Sequence, residues 1–532
     1  MEKQNYSSIR NVVYAKHGMV ATSEPQAAQA GLDILKKGGN AIDAAIAVAA
    51  CLTVTEPTSN GIGGDNFALI WHNHKLHGLN SSGHAPSLLS LSELKKKGVK
   101  EIPKYGFIPI TVPGAVAGWA EMSRKFGKLS LKDCLKPAID YARNGFAVSK
   151  TVAYYWKAAN QIYQKQFKHE MFQYWFDTFT KDLSIPKAGD IWTLKDHAYT
   201  LEEIGETIGQ SFYRGRIADE IDAYSKKYDG YIRKSDLENF KPEWVEPIST
   251  SYRGYNVWEI PPNGQGIVSL MALNIVENFE FKEKELISTY HNQIEALKLA
   301  FADGFEYIGD IKHMKTSLQS LLSKTYAWKR AKEITKDAMI PKCGKPIGSG
   351  TVYLATADED GNMVSMIQSN YMGFGSGLVV PHTGIALHNR GHNFSLNPSS
   401  VNALAPNKKP FHTIIPGFLT KGREAIGPFG VMGGFMQPQG HLQVIMNMLD
   451  FGLDPQEALD APRWQWTEGK KILVEPEIPQ KIIHGLIKKG HEIVVEPNRG
   501  TFGRGQIILR NPITGVYTGG TEKRADGTIA SY

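Results

Sequence analysis

A chain of 532 residues, 42% hydrophobic and 21% charged, has ample material for a large core, and its length alone suggests two or three domains. The formal net charge of +7, from 60 basic and 53 acidic side chains, is mild for this size and favours solubility without implying a nucleic-acid partner. Cys51, Cys134 and Cys343 are far apart, odd in number and without metal-ligand spacing, so free buried thiols are expected and a disulfide framework is not.

The N-terminus, MEKQNYSSIRNVVYAKHG, has no apolar h-region, and no uninterrupted apolar run of about 18 residues occurs. A cytoplasmic protein with no membrane partner is expected. Ser23-Glu24-Pro25-Gln26 has the form of a capping box, with a helix running on to a stop at Gly38-Gly39. A second helix is predicted from about Ala41 to Thr53, and its alanines at 44, 45, 47, 49 and 50 suggest close packing inside the core. The loop Glu56-Pro57-Thr58-Ser59-Asn60-Gly61-Ile62-Gly63-Gly64-Asp65 then leads into a strand over Asn66–Trp71. That order is the reverse of a phosphate-binding loop, which follows a strand and opens a helix.

Residues 150 to 180 carry Tyr154, Tyr155, Trp156, Tyr163, Phe167, Phe172, Trp175 and Phe176, with Lys157, Lys165 and Lys168 among them. Basic and aromatic residues together can bind nucleic acid, but the helical spacing favours packed amphipathic helices. Pro261-Pro262-Asn263-Gly264-Gln265-Gly266 precedes another apolar helix. His291 and Glu295 stand one helical turn apart, yet no HExxH arrangement accompanies them, so no zinc site is expected. Between Lys312 and Lys345 the chain turns polar and lysine-rich and reads as a linker.

After the linker, Gly348-Ser349-Gly350 runs into Thr351, which opens a β-branched alternating segment to Ala357. Asp358 to Asn362 supply a turn, and a second strand runs from Met363 to Ser369. An internal threonine hydroxyl is a poor nucleophile without an adjacent base. Scission of the Gly350-Thr351 bond would supply that base, because the freed α-amino group has an unperturbed pKa of about 7.7 to 8. Further on, Met432-Gly433-Gly434-Phe435-Met436-Gln437-Pro438 precedes a helix through Leu449, and paired glycines let backbone amides point at a developing oxyanion. No GxSxG elbow and no Walker A sequence occurs.

The run GSGTVYLATADEDGNMVSMIQSNYMGFGSG is similar to the start of the small fragment of γ-glutamyltransferases, which belong to the N-terminal nucleophile hydrolases. The opening run GMVATSEPQAAQAGLDILKKGGNAIDAAIAVAACLTVTEPTSNGIGGDNF, the run Thr111-Val112-Pro113-Gly114-Ala115 and the pattern from His291 to Asp310 also resemble that family, so the likeness covers nearly the whole chain. It implies an α+β fold, a four-layer αββα sandwich. A proenzyme would be cut into residues 1–350 and 351–532, two fragments sharing one unit. The resemblance implies Thr351 as nucleophile, Ser369 beside it, Gly433 and Gly434 as the oxyanion hole, and a small-molecule amide as substrate. It implies no cofactor and no metal, while self-association into a homo-oligomer stays open.

The departures from the family pattern concern the grip on the glutamyl end. The family's Arg-Glu-x-Ala-Pro motif, whose arginine holds the α-carboxylate, here reads Ser82-Gly83-His84-Ala85-Pro86, leaving His84 as the candidate cation. Tyr371 stands where the family has an asparagine in the substrate site. The Asn-Asn-x-Met-Asp-Asp-Phe motif reads His388-Asn389-Arg390-Gly391-His392-Asn393-Phe394, so Asn393 replaces the aspartate that holds the α-ammonium and Arg390 adds a cation. The segment from Phe394 to Asn402 is short for a lid loop. His412-Thr413 replaces a serine pair and can still donate hydrogen bonds to a carboxylate. The expectation is an amidase acting on γ-glutamyl or related amides, with Arg390, His84 and His412 suited to an anionic acyl group such as glutaryl or oxamate-like amides. Hydrolysis is expected over transpeptidation, and an unprocessed binding protein is the alternative.

Overall fold

The computed structural model describes residues 10–341 and 350–532; Cys343, Gly348 and Ser349 lie outside the described residues. Alternation along one strand explains the layering. In Gly350–Ala357, Val352 and Leu354 join a core built with Ile34, Ala44 and Val48 of two helices. Tyr353, Ala355 and Ala357 join a different core, shared with Phe418, Met432 and Ile508 of a second sheet. A period of two sends successive side chains to opposite faces, so this strand is covered by helices on one side and by a sheet on the other. Leu419, Phe429, Val431 and Ile507 of the second sheet in turn face the helices Gly266–Val276, Ile287–Tyr307 and Met436–Leu449. The order is helices, sheet, sheet, helices: the expected αββα sandwich.

Among the described residues each of the two main sheets has seven strands. In the first, Gly350–Ala357 and Met363–Tyr371 lie at the centre, between Met19–Thr22 on one side and Asp65–His72 on the other. In the second, Glu424–Met432 pairs with Gly417–Lys421, which pairs with Tyr255–Glu259. Residues before and after position 350 are therefore interleaved in both sheets, and the chain does not divide at that point into separate cores.

Several local expectations are corrected by burial. The first helix, Pro25–Lys36, begins after Glu24, whose side chain makes no cap. Ser23 Oγ donates instead to buried Glu56, which Arg504 also holds at 3.1 Å. The capping box lies one helix later, before Ala41–Thr55: Asn40 Oδ1 accepts the amides of Ile42 and Asp43, each at 3.0 Å, and Asp43 accepts the Asn40 amide at 3.0 Å. Cys51 and Cys134 are free and buried. The aromatic stretch forms Lys150–Gln166 and Gln173–Phe179, with Trp156, Tyr163, Trp175 and Phe176 in the helical core.

The polar stretch after Lys312 is packed as far as it is described. It contains the helix Lys324–Ala331, and its end is fastened to buried side chains. His291 Nε2 meets the Thr335 carbonyl at 2.8 Å, Glu295 accepts the Met339 amide at 3.2 Å, and Lys298 donates to the Met339 carbonyl. Lys489, from beyond the hairpin, donates to the Lys336 carbonyl at 2.7 Å. His291, Glu295 and His491 do converge, but Lys298 holds Glu295 at 2.7 Å and the two imidazoles meet at 2.8 Å. An ammonium on the carboxylate makes this cluster a fastening rather than a cation site.

Candidate active site

The hairpin that opens at Thr351 is irregular at that residue. Gly350 pairs with Tyr371 and Val352 with Gln368, so Ser369 and Asn370 together oppose Thr351 in a β-bulge. Thr351 is fully buried, and its Oγ1 lies 3.0 Å from Ser369 Oγ. Tyr371, at the far end of the bulge, takes φ 73°, a left-handed conformation that costs a non-glycine residue about 1–3 kcal/mol. Its amide donates to Ser369 Oγ at 2.8 Å, which ties the strained turn to the serine beside Thr351.

Arg390 closes over this pair from the loop after the hairpin. Its guanidinium is buried and donates to Ser369 Oγ at 3.2 Å and to Thr413 Oγ1 at 2.6 Å. It lies 4.3 Å from the centroid of the Tyr371 ring. Burial lowers the guanidinium to about 10, which leaves it charged at neutral pH. Among the described residues no acceptor meets Arg390 Nε. A fork of this kind, only partly used by the protein, is suited to a carboxylate or another planar anion.

Behind Arg390 lies a residue that the sequence does not single out. Asp65, in register with Ser369 on the neighbouring strand, is fully buried. One of its oxygens accepts the amides of Gly83 at 3.3 Å and Gly114 at 3.1 Å; the other faces His412 Nε2 at 3.0 Å. The Ile414 amide donates to His412 Nδ1 at 3.3 Å, which assigns the ring proton to Nε2 and makes His412 the donor to Asp65. Burial pushes the Asp65 carboxyl up to about 7, and Arg390 is the strongest influence pulling it back. The expected His412 donation to a carboxylate is thus taken up by one within the protein.

Gly433 and Gly434, at the end of Glu424–Met432, take φ 138° and 61°. A Cβ on Gly433 would lie 3.1 Å from Gly503 Cα, so the backbone here admits no larger residue without strain. Among the described residues no backbone carbonyl meets either amide. Gln265 links this corner to the Arg390 side: its amide donates to Gly434 O at 2.8 Å and to Thr413 O at 2.6 Å. Asn393 is committed at both ends, accepting from the Tyr371 hydroxyl at 2.5 Å and donating to Phe411 O at 3.0 Å. A trough of about 650 Å³ opens beside these groups, walled by Tyr371, Asn393, Phe411 and Phe435, with Ser395 to Asn402 along its rim.

A model of the gamma-glutamyltranspeptidase family matches residues 27–532. The chain belongs to that family. Across 96% of this chain and 97% of the relative it is 38% identical to the glutathione hydrolase-like YwrD proenzyme of Bacillus subtilis (strain 168). It is 31% identical to the oxamate amidohydrolase proenzyme of Klebsiella pneumoniae subsp. pneumoniae, covering 97% and 98% of the two chains. The crystal structure of cephalosporin acylase from Bacillus halodurans superposes with a TM-score of 0.97 at 59% identity, over 100% of this chain and 99% of that one. As a gamma-glutamyltranspeptidase family member with amide-cleaving relatives, the protein is an amidohydrolase of that family.

Of the residues singled out from the family pattern, the fold gathers Thr351, Ser369, Tyr371, Arg390, Asn393 and Thr413 around one corner, with His412 directly behind. Gly433 and Gly434 are joined to that corner through Gln265, and His84 stands apart from it. The backbone around it is pinned by Gly83 on Asp65, by Ala85 on the Lys408 carbonyl at 2.8 Å and by Val112 on its own carbonyl at 3.0 Å. Its ring is left beside Phe240, lining a different cavity of about 390 Å³ with Glu243 and Lys409. Ser82 is buried too, its hydroxyl 2.7 Å from Asn80 Oδ1.

Proposed function

We propose that this protein is a self-processed threonine amidohydrolase that cleaves amides of small anionic acyl groups through an acyl-enzyme on Thr351. Attack of Thr351 Oγ1 on the Gly350 carbonyl carbon expels the Thr351 nitrogen and leaves an ester. Water then hydrolyses that ester, releasing the Gly350 carboxylate and a free α-amino group on Thr351. In turnover that amine takes the hydroxyl proton as Oγ1 attacks the substrate amide, and the Gly433 and Gly434 amides stabilise the oxyanion. The proton passes to the leaving amine, and a second water hydrolyses the acyl-enzyme, so no acceptor other than water is required.

The observation that carries the reading is the buried, charged Arg390 beside Ser369, which itself touches Thr351. An acyl carboxylate brought to this corner would meet a charged fork, whereas an α-ammonium would meet a cation. Asn393 supplies no carboxylate to such an ammonium, and both of its polar ends are already engaged. The relatives named as an oxamate amidohydrolase and a cephalosporin acylase accord with acyl groups other than ordinary glutamyl. A cytoplasmic location belongs to the same proposal.

The test compares kcat/KM for glutathione with that for a glutaryl anilide. A preference for the glutaryl compound is expected, and a strong preference for glutathione overturns the anionic-acyl reading. A denaturing gel checks processing: fragments of residues 1–350 and 351–532 are expected, and an intact chain that cleaves amides refutes it.

A further inference from the structure

The cluster behind Arg390 takes no part in the acyl-transfer steps, yet it is built as closely as the nucleophile corner. Asp65 opposes Ser369 across the sheet, and both Asp65 oxygens are engaged. The approach of the Gly83 and Gly114 amides depends on the lack of side chains. A Cβ on Gly83 would lie 1.6 Å from the Val112 carbonyl oxygen, and one on Gly114 would lie 2.1 Å from that of Ser81. The backbone is thus shaped to bring two donors to one carboxylate.

From Asp65 the contacts run in one direction. His412 donates to Asp65, and its neighbour Thr413 accepts from Arg390. On the other flank His388 donates from Nε2 to the Thr111 carbonyl at 2.9 Å, which leaves its unprotonated Nδ1 3.7 Å from the Asp65 oxygen that faces His412. Arg390 is itself fully buried, and a buried cation left without a counter-charge is strongly destabilising where it stands. The charged and titratable groups facing Asp65 are Arg390, His388 and His412, with Lys409 and Tyr213 further out.

We infer that Asp65 is a positioning residue: with His412 it is the counter-charge and brace that fixes the Arg390 fork over Ser369 and Thr351, and so sets recognition of the acyl anion. The assignment rests on the anionic-acyl reading above and extends it to residues that do not touch substrate. Because Arg390 already contacts Ser369 in the uncut chain, the same brace acts on self-cleavage. With Asp65 ionised, Arg390 is held in place; with Asp65 protonated, the counter-charge is lost.

The experiment uses the full chain and a pair of substrates, glutaryl and valeryl p-nitroanilide, which differ by a terminal carboxylate against a methyl group. Asp65→Asn is expected to shrink the glutaryl-to-valeryl ratio of kcat/KM by about tenfold or more, mainly through KM for the glutaryl compound. An unchanged ratio, with both substrates weakened alike, makes Asp65 a residue of the fold only and overturns the assignment. A wild-type ratio near one sinks the anionic-acyl reading instead. In that event self-cleavage decides: a slowed rate with a flattened pH profile in D65N supports the brace, and wild-type cleavage at every pH refutes it. Should D65N fail to accumulate, His412→Gln takes its place: a shrunken ratio or slowed self-cleavage supports the brace, and wild-type values of both overturn it.

Discussion

Replacing Arg390 with glutamine removes the charge from the corner while keeping a planar donor of nearly the right size. In the native site the guanidinium spans Thr413 Oγ1 at 2.6 Å and Ser369 Oγ at 3.2 Å, with Nε unmatched by any described residue. A forked contact to an acyl carboxylate comprises two charge-assisted hydrogen bonds, each contributing about 1.5–3 kcal/mol. Glutamine recovers one neutral bond of about 1 kcal/mol, so the net loss is roughly 2–5 kcal/mol, or about 30- to 5,000-fold in kcat/KM for a glutaryl anilide. A valeryl anilide, which offers no carboxylate, should lose much less. Arg390→Lys separates charge from geometry: it keeps Asp65 compensated but cannot span both hydroxyls, so stability should recover further than selectivity. Steady-state kinetics on the two anilides provides the measurement, with thermal unfolding of each variant beside it. Equal losses on both substrates, or glutaryl activity within about threefold of wild type, would refute the reasoning.

Thr351→Ala should give a single full-length band on a denaturing gel and no amidase activity; two fragments in that variant remove the nucleophile assignment. Gly433→Ala forces a side chain onto φ 138° against Gly503. It is expected to lower kcat by about 10²- to 10³-fold with KM little changed, as loss of an oxyanion donor does; an unaltered kcat places the oxyanion elsewhere. Glu522 gives a pH prediction: burial would raise its carboxyl, but Arg463 and Arg524 hold it down to about 2 against an ordinary value of 4.5. A depressed carboxyl contributes stability above its unfolded value and loses it as pH falls through the folded one, here roughly 3 kcal/mol between about pH 4.5 and 2. Denaturant titrations of Glu522→Gln should therefore show a shallower decline than wild type over that window, and parallel declines would contradict the ion-pair account.

The hairpin at 350–371 is legible in the sequence because its strands alternate and its turn is written in Asp, Gly and Asn. The bulge inside it is not, since nothing in the letters says that Ser369 and Asn370 share one partner. Arg390 stands out as a foreign cation in a family motif. Asp65 does not, because one acid after a glycine loop reads as a turn residue, while its partners lie at positions 83, 114, 388 and 412. Linear adjacency puts His84 in the site, but it ignores how the backbone around that residue is pinned. The lysine-rich stretch after 312 reads as a linker because its fastening residues, His291, Glu295, Lys298 and Lys489, belong to distant helices or their ends.

The pair of strands beginning at Gly350 is embraced on both flanks by strands from earlier in the chain, Met19–Thr22 and Asp65–His72. A nick at residue 350 would therefore be silent to gel filtration and to melting curves, with both pieces travelling and unfolding as one particle. Made from separate genes, each piece would instead present bare strand edges to solvent, a template for self-association. Synthesis as a single polypeptide lets the sheets zip together before the cut, and reunion of separately purified pieces should be far less efficient than refolding of the precursor.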